Sequence, residues 1–150
     1  MSNDFVKKVY EKLNPTIDNW VNTRITYGEI KEYSSKRYRV LESFNNPIND
    51  YNVRIELKNG YNIGISIVTS GSRDKYKITR SLLVYATGPC IVEVDDGSGH
   101  IDSRPRHIEK ERIMFIDGEF DIDNIDWTLD VFKFLNKYAE QEKAEVEVVD

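Results

Sequence analysis

The chain has 150 residues, of which 39% are hydrophobic and 11% aromatic, enough for one hydrophobic core but short for two. Its formal net charge of −5 argues against a general nucleic-acid-binding protein, because phosphate contacts need clustered lysine and arginine. No apolar run approaches the length of about 18 residues that marks a membrane-spanning helix.

The N-terminus and the cysteine content predict a cytoplasmic protein. The start Met1-Ser2-Asn3-Asp4 lacks the basic residues and apolar stretch of a signal peptide. A single cysteine, Cys90, excludes an internal disulfide and a zinc site built from several thiolates, as expected in a reducing compartment. Frequent Asn, Ile, Lys and Tyr, whose codons are AT-rich, suggest a low-GC bacterium or a phage or mobile element within one.

The N-terminal segment is predicted to form two short helices separated by a bend. Apolar residues recur at three- and four-residue steps from Asp4 to Leu13, and Asn3 can cap this first helix. Asn14-Pro15 ends it, and Pro15 suits the first turn of a second helix. The apolar side of the second helix carries Ile17, Trp20 and Val21. We expect these helices to cover a sheet.

Strand patterns follow from Arg24 to about Asp95. The clearest is the alternation at 53–57 and 61–67 around Asn59-Gly60, which predicts a β-hairpin. Weaker strand signals lie at Ile25, Tyr27, Tyr38 and Val40. Residues 75–86 fit either a buried strand or a short helix, and their β-branched and aromatic residues favour the strand. Gly88-Pro89 separates them from another strand at 91–94.

The polar residues from about Asp95 to Glu109 are predicted to form the longest loop, opened by the turn residues of 95–99. Strand character returns at 112–116. A helix is then predicted over Asn124–Gln141, with Asp121 or Asp123 as its cap. The tail at 145–149 is expected to add an edge strand or to stay disordered.

Apolar residues cover about 220° of the circumference of this C-terminal helix, more than the stripe of about 100° expected on a surface helix. It must therefore be covered on several sides, either by the N-terminal helices and the sheet or by a partner chain. The predicted fold is one α+β domain over residues 1–150. It has a curved, mainly antiparallel sheet of five to seven strands, with the N-terminal helices and one long C-terminal helix packed on it.

Charge is divided unevenly along the chain. Residues 1–90 hold 14 Lys and Arg against 9 Asp and Glu, a net charge of +5. Residues 91–150 hold 7 against 17, a net charge of −10. The two parts can pair within the fold, or the acidic part can present a surface that attracts a basic partner.

The acidic residues are most regular in the segment 116–123, where every second residue is a carboxylate. As one strand, the segment would place these carboxylates on one face about 6.6 Å apart, close to the phosphate spacing of nucleic acid. Asp117-Gly118 between apolar residues instead predicts a hairpin, which would divide the row. The predicted partner-binding residues are Asp117, Glu119, Asp121, Asp123, Asp126 and Asp130.

A metal site is the second hypothesis. His100, Asp102, His107 and Glu109 are residue types that bind zinc, manganese or iron, although their spacing matches no established motif. No P-loop, G-x-G-x-x-G or G-x-S-x-G sequence is present, and Cys90 is expected to be a buried apolar residue rather than a nucleophile. Basic and aromatic residues alternate at 31–39, but the negative charge of the domain disfavours direct nucleic-acid binding.

The sequence therefore favours a non-catalytic intracellular binding protein whose acidic C-terminal part occupies a basic site on a protein partner. An inhibitor or immunity-like protein that mimics nucleic acid would fit this description. The alternatives are a metal-dependent enzyme built on the His/Asp/Glu segment and a small-molecule-binding domain with a cavity between sheet and helix. The leading hypothesis requires no cofactor.

Overall fold

The computed structural model describes residues 3–26, 28, 30–33, 51–72, 77–95 and 97–149. The helices and strands of these residues, in chain order, are α1 Asn3–Thr26, β1 Ile30–Tyr33, β2 Asn52–Leu57, β3 Asn62–Ser72, β4 Lys77–Asp95, β5 Ile101–Ile116, α2 Asp126–Ala139 and β6 Glu147–Val149. Neither α1 nor α2 combines the length and the apolar character that crossing a bilayer would demand.

The fold is α+β, as predicted, with an open antiparallel sheet. Its five main strands lie in chain order, β1-β2-β3-β4-β5, so β5 is an edge strand. Strand β6 pairs in parallel with Cys90–Val92 of β4, beyond the part of β4 that pairs with β3. The tail therefore contributes a short strand rather than remaining irregular.

The hairpin around Asn59-Gly60 is confirmed. The amide of Gly60 donates to Leu57 O at 3.1 Å, and the amide of Leu57 donates to Tyr61 O at 2.9 Å. Gly60 adopts φ of 98°, so the loop is a three-residue turn that ends in a left-handed glycine. Alternation on the two strands buries Val53, Ile55, Ile63 and Ile65 on the face that the helices cover.

The predicted break at Pro15 is wrong, because α1 is one helix of 24 residues with Pro15 inside it. Pro15 is exposed, and residues on both sides of it, Leu13 and Ile17, are fully buried. A proline inside a helix costs about 3 kcal/mol, whereas each large apolar side chain that is buried returns about 1.5–3 kcal/mol. Burial of the shared apolar face keeps the helix continuous.

Helix α1 also extends through Ile25, so the predicted strand at that residue is wrong. The other weak strand signals in this part of the chain, at Tyr27, Tyr38 and Val40, lie outside the described residues.

Residues 101–109, predicted to be a loop, belong to β5. They pair with β4 from Asp95 opposite Ile101 to Thr87 opposite Glu109. Strand β4 likewise continues through Gly88-Pro89 instead of ending there. Polar composition misled the prediction because residues 101–107 of this strand are exposed on both faces, so no apolar alternation is needed. The ladder with β4 pairs the inner edge of their backbone and holds the strand in place.

Helix α2 is shorter than the predicted Asn124–Gln141, and neither Asp121 nor Asp123 caps it. Its N-cap is Ile125, which makes no side-chain capping hydrogen bond. Asp121 Oδ1 instead accepts the amide of Asp123 at 3.1 Å, and Asn124 Oδ1 accepts that of Asp126 at 3.0 Å. The core cluster unites α1, α2 and one face of the sheet, where Tyr51, Leu82 and Val84 are fully buried.

Candidate protein-docking surface

The acidic segment 117–123 is neither a continuous strand nor a hairpin arm. Strand β5 ends at Ile116, and the amide of Glu119 donates to Ile116 O at 2.9 Å in a turn where Gly118 adopts φ of 86°. No strand returns from this turn within the described residues, and the chain passes through further turns to α2. Both predicted geometries for this segment are therefore wrong, although Asp117-Gly118 does mark a turn.

Apolar residues within the segment hold its backbone against the body of the protein. The ring of Phe120 lies 5.7 Å from that of Trp127 and 5.5 Å from that of Phe115, measured between centroids. Trp127 Nε1 donates a hydrogen bond to Ile122 O at 3.1 Å. The alternation in the sequence therefore corresponds to apolar side chains that point inward and carboxylates that point outward.

The carboxylates of this segment and of the first turns of α2 all face solvent. The exposed residues are Asp117, Glu119, Asp121, Asp123, Asp126 and Asp130, the six predicted partner-binding residues. Lys8 Nζ lies 3.3 Å from Asp123 Oδ1, and Lys12 Nζ donates to Asp123 O at 3.4 Å. The other five carboxylates make no ion pair with any residue that the structure describes.

Among the described residues, few ion pairs join the basic part of the chain to the acidic part. Between described residues, the Lys8–Asp123 ion pair is the one that connects residues 1–90 with residues 91–149. Other carboxylates of the acidic part are paired by cations of the same part: Glu109 with Arg112, Glu111 with Lys137, and Glu147 with Lys110. These internal pairs do not include the carboxylates at 117–130, a segment that contains six Asp and Glu and no Lys or Arg.

Large apolar side chains lie exposed beside these carboxylates. Ile125, Leu129 and Phe132, at i, i+4 and i+7 along α2, are 64%, 51% and 39% exposed. The opposite side of α2 carries its buried residues, including Val131, Phe134 and Leu135. We call Ile125, Leu129 and Phe132 the apolar stripe. The described residues thus cover only one side of the wide apolar arc predicted for this helix and leave the apolar stripe exposed.

The carboxylate of Glu111 belongs to a local network between β5 and α2. Lys137 Nζ donates to Glu111 Oε1 at 2.8 Å, and the Tyr138 hydroxyl donates to the same oxygen at 2.7 Å. These hydrogen bonds lower the pKa of Glu111. Burial, together with donation to Glu111, raises the pKa of Tyr138. The network fixes the C-terminal half of α2 on the sheet.

The four candidate metal ligands are not brought together. His100 Nε2 lies 3.6 Å from Asp102 Oδ1 at the start of β5, whereas Glu109 accepts hydrogen bonds from Arg112. His107 lies five positions after Asp102, about 16 Å along the strand, and this odd spacing places the two side chains on opposite faces of the sheet. Across the described residues, no three His, Cys, Asp or Glu side chains are grouped closely enough to hold a metal ion.

His107 lies instead at a cleft of about 290 Å³ on the face of the sheet opposite the helices. Its Nδ1 is 3.4 Å from Asn62 Nδ2 and 3.5 Å from Thr87 Oγ1. Arg54 and Tyr85 also line the cleft.

Two further candidates from the sequence have clear positions. Cys90 is buried, 3% exposed, in the part of β4 that pairs with β6. The basic and aromatic alternation at 31–39 lies largely outside the described residues.

Comparisons with models of protein families, with curated proteins and with solved structures gave no match to this chain. The candidate site is therefore defined by its geometry. Its most specific property, the exposed apolar stripe beside the carboxylates, had one signal in the sequence, which was the excessive width of the apolar arc of α2.

Proposed function

We propose that this protein is a non-catalytic binding protein that docks through its acidic C-terminal surface onto a basic site of a protein partner. The observation that carries the proposal is the group of exposed carboxylates at 117–130 beside the apolar stripe of α2. Protein interfaces combine apolar contact at their centre with charged groups that select and steer the partner. Carboxylates beside an apolar stripe are complementary to a basic surface that has an apolar patch next to it.

The more specific form of the proposal is an inhibitor or immunity-like protein that covers a nucleic-acid-binding site. Such sites are basic because they contact phosphates, and a protein with a concentrated negative charge competes for them. The carboxylates are arranged as a turn and the start of a helix, not as a regular row. The mimicry we propose is therefore one of local charge density, and the spacing of phosphates along a strand is not reproduced.

The test compares two variants with equal loss of charge. Asp117→Asn with Glu119→Gln neutralises the proposed surface, and neither side chain makes an ion pair with the described residues. Glu142→Gln with Glu145→Gln neutralises two exposed carboxylates elsewhere. Each protein is immobilised, and the proteins that it retains from a low-GC bacterial lysate are eluted with salt and identified.

We expect the retained partners to be basic and to bind in a salt-sensitive manner. At low salt, their association rate should be about three- to tenfold lower for the Asp117/Glu119 variant than for the wild type, and this difference should disappear near 1 M salt. The Glu142/Glu145 variant should resemble the wild type. Displacement of DNA or RNA from a retained partner would support the inhibitor form. Equal rates for both variants, or partners that are neither basic nor salt-sensitive, would contradict docking through this surface.

A further inference from the structure

The outer edge of β5 has no neighbouring strand among the described residues, because the strand order ends at β5. A free edge exposes unpaired N–H and C=O groups, which proteins usually protect with charges or proline. The first part of β5 carries such protection in Arg104, Pro105 and Arg106. The last part, 113–116, is Ile-Met-Phe-Ile and carries none. An unprotected apolar edge of this kind is suited to pairing with another strand.

A surface cleft of about 410 Å³ runs beside this edge, between β5 and α2. Met114 and Phe115 contribute to its β5 side, and Asp130, Lys133 and Phe134 to its α2 side. Met114 is 43% exposed. The cleft and the free edge form one continuous surface that contains both apolar groups and open backbone.

The flank of α2 at this cleft has a charge order that is complementary to itself. Four charged residues lie along one side of the helix because they are spaced by four, three and four positions: Asp126, Asp130, Lys133 and Lys137. If two copies of α2 lie antiparallel, Asp126 faces Lys137 and Asp130 faces Lys133, each pair occurring twice. The midpoint of this pattern falls between Asp130 and Lys133, both of which line the cleft together with Met114.

We propose that the partner of this edge is a second copy of the chain, in a two-fold symmetric dimer. The two β5 strands pair antiparallel. Met114 lies on the two-fold axis, opposite Met114 of the second copy, and Ile113 of each copy lies opposite Phe115 of the other. The sheet then continues from one subunit into the other. The two α2 helices lie antiparallel on one side of it, with Asp130 of each subunit beside Lys133 of the other.

Two-fold homodimers are the commonest protein oligomers, and their interfaces must be self-complementary, as both the strand register and the helix charges are here. The proposal does not rest on the proposed function. It assigns Asp126 and Asp130 to the dimer, which leaves Asp117, Glu119, Asp121 and Asp123 for another partner.

The position of Met114 on the axis gives a sharp test by sedimentation velocity. Directly opposite residues in an antiparallel pair lie about 5 Å apart, so Met114→Lys sets two ammonium groups against each other. Val94→Lys is the control, because Val94 is similarly exposed, at 41%, but lies far from the proposed axis. It pairs with Asp102 of β5, which is twelve positions and about 40 Å along that strand from Met114. Circular dichroism checks that both variants are folded.

We expect the wild type and Val94→Lys to sediment as dimers, with about twice the chain mass of 17.5 kDa. The dissociation constant of Met114→Lys should rise at least about tenfold. A wild type that remains monomeric up to about 0.1 mM would overturn the proposal, since a micromolar dimer would be fully formed there. Equal dimerisation of Met114→Lys and the wild type would overturn it as well.

A mixing experiment tests the helix register separately. Asp130→Lys and Lys133→Asp should each weaken the dimer, because each places like charges across the axis. An equimolar mixture of the two variants should associate again, since every facing pair is then opposite in charge. Charge effects within one helix are unchanged by mixing, so a mixture that stays as dissociated as its components would contradict this arrangement of α2.

Discussion

The two helices pack on the same sheet but differ in what they leave exposed. Seven apolar side chains of α1 are at most 3% exposed, namely Phe5, Val6, Val9, Leu13, Ile17, Trp20 and Val21. Helix α2 buries a comparable set, yet Leu129 and Phe132 remain 51% and 39% exposed. The apolar residues of α1 are accounted for by the core, whereas those of α2 exceed what the described chain covers. This excess is the reason we propose α2 as the helix that contacts another molecule.

The largest expected effect contrasts one leucine from each helix. Leu13→Ala in α1 should reduce the free energy of unfolding by about 2–5 kcal/mol, because it removes buried contacts and leaves a cavity. Leu129→Ala in α2 should change it by less than about 0.5 kcal/mol. Chemical denaturation of both variants measures the difference. Equal losses would mean that Leu129 is covered as completely as Leu13, and the contrast between the helices would fail.

A second effect concerns the continuity of α1. Pro15 is exposed inside the helix and has no N–H to donate, so Pro15→Ala should raise the free energy of unfolding by about 2–3 kcal/mol. Asn19→Ala, at another exposed position of α1, should raise it by at most about 0.7 kcal/mol through helix propensity alone. Thermal and urea denaturation compare them. A destabilised Pro15→Ala would indicate that α1 depends on a bend at the proline.

A third effect tests how the helices are joined. Asn136 Oδ1 of α2 accepts hydrogen bonds from Trp20 Nε1 at 2.9 Å and Arg24 Nη2 at 2.7 Å, both from α1. Asn136→Ala leaves these donors without that acceptor and should cost about 1–2 kcal/mol. Asn136→Asp retains an accepting oxygen, so it should lose less in the same denaturation assay. An alanine variant as stable as the wild type would show that apolar packing alone joins the helices.

The smallest effect is the pH dependence that Glu111 contributes where α2 meets β5. Hydrogen bonds from Lys137 and Tyr138 lower its folded pKa below the usual value of about 4.5 for a glutamate. The ionised carboxylate therefore stabilises the fold above about pH 4.5, and this contribution is lost as the pH falls through the folded pKa.

The stability difference between the wild type and Glu111→Gln should be largest near neutral pH, below about 1 kcal/mol, and should vanish in acid. Urea midpoints measured across this pH range test the prediction. Glu142→Gln is the control, because Glu142 has no ion pair with the described residues, and its difference from the wild type should not follow this course. A Glu111→Gln difference that persists in acid would assign the effect to packing.

Local signals predicted those elements whose sequence alone determines their geometry. Alternation on both sides of Asn59-Gly60 identified the hairpin, because turn chemistry and face selection act over a few residues. The continuity of α1 was missed, since a local rule stops the helix at Pro15 while burial of Leu13 and Ile17 against distant strands sustains it. Residues 101–109 were missed because an exposed strand held by its neighbour needs no apolar pattern of its own.

Composition predicted the exposed carboxylates but not the shape of the segment that carries most of them. Sequence reasoning named the six exposed carboxylates because net charge belongs to the residues themselves. It did not find the fold of the segment that carries them, which depends on Phe120 entering the aromatic cluster with Phe115 and Trp127. Nor did it specify which apolar residues of α2 stay outside, because the position of α1 decides that.

The anchoring of Phe120 bears on the entropy of the association that we propose for this segment. A charged loop that moves freely before it binds must lose its conformational freedom on docking, at about 1–2 kcal/mol per residue fixed. In this segment Phe120 packs between aromatic rings and the Ile122 carbonyl is held by Trp127, so much of that freedom is already lost in the folded monomer. The surface is preorganised, and more of its contact energy remains available as affinity.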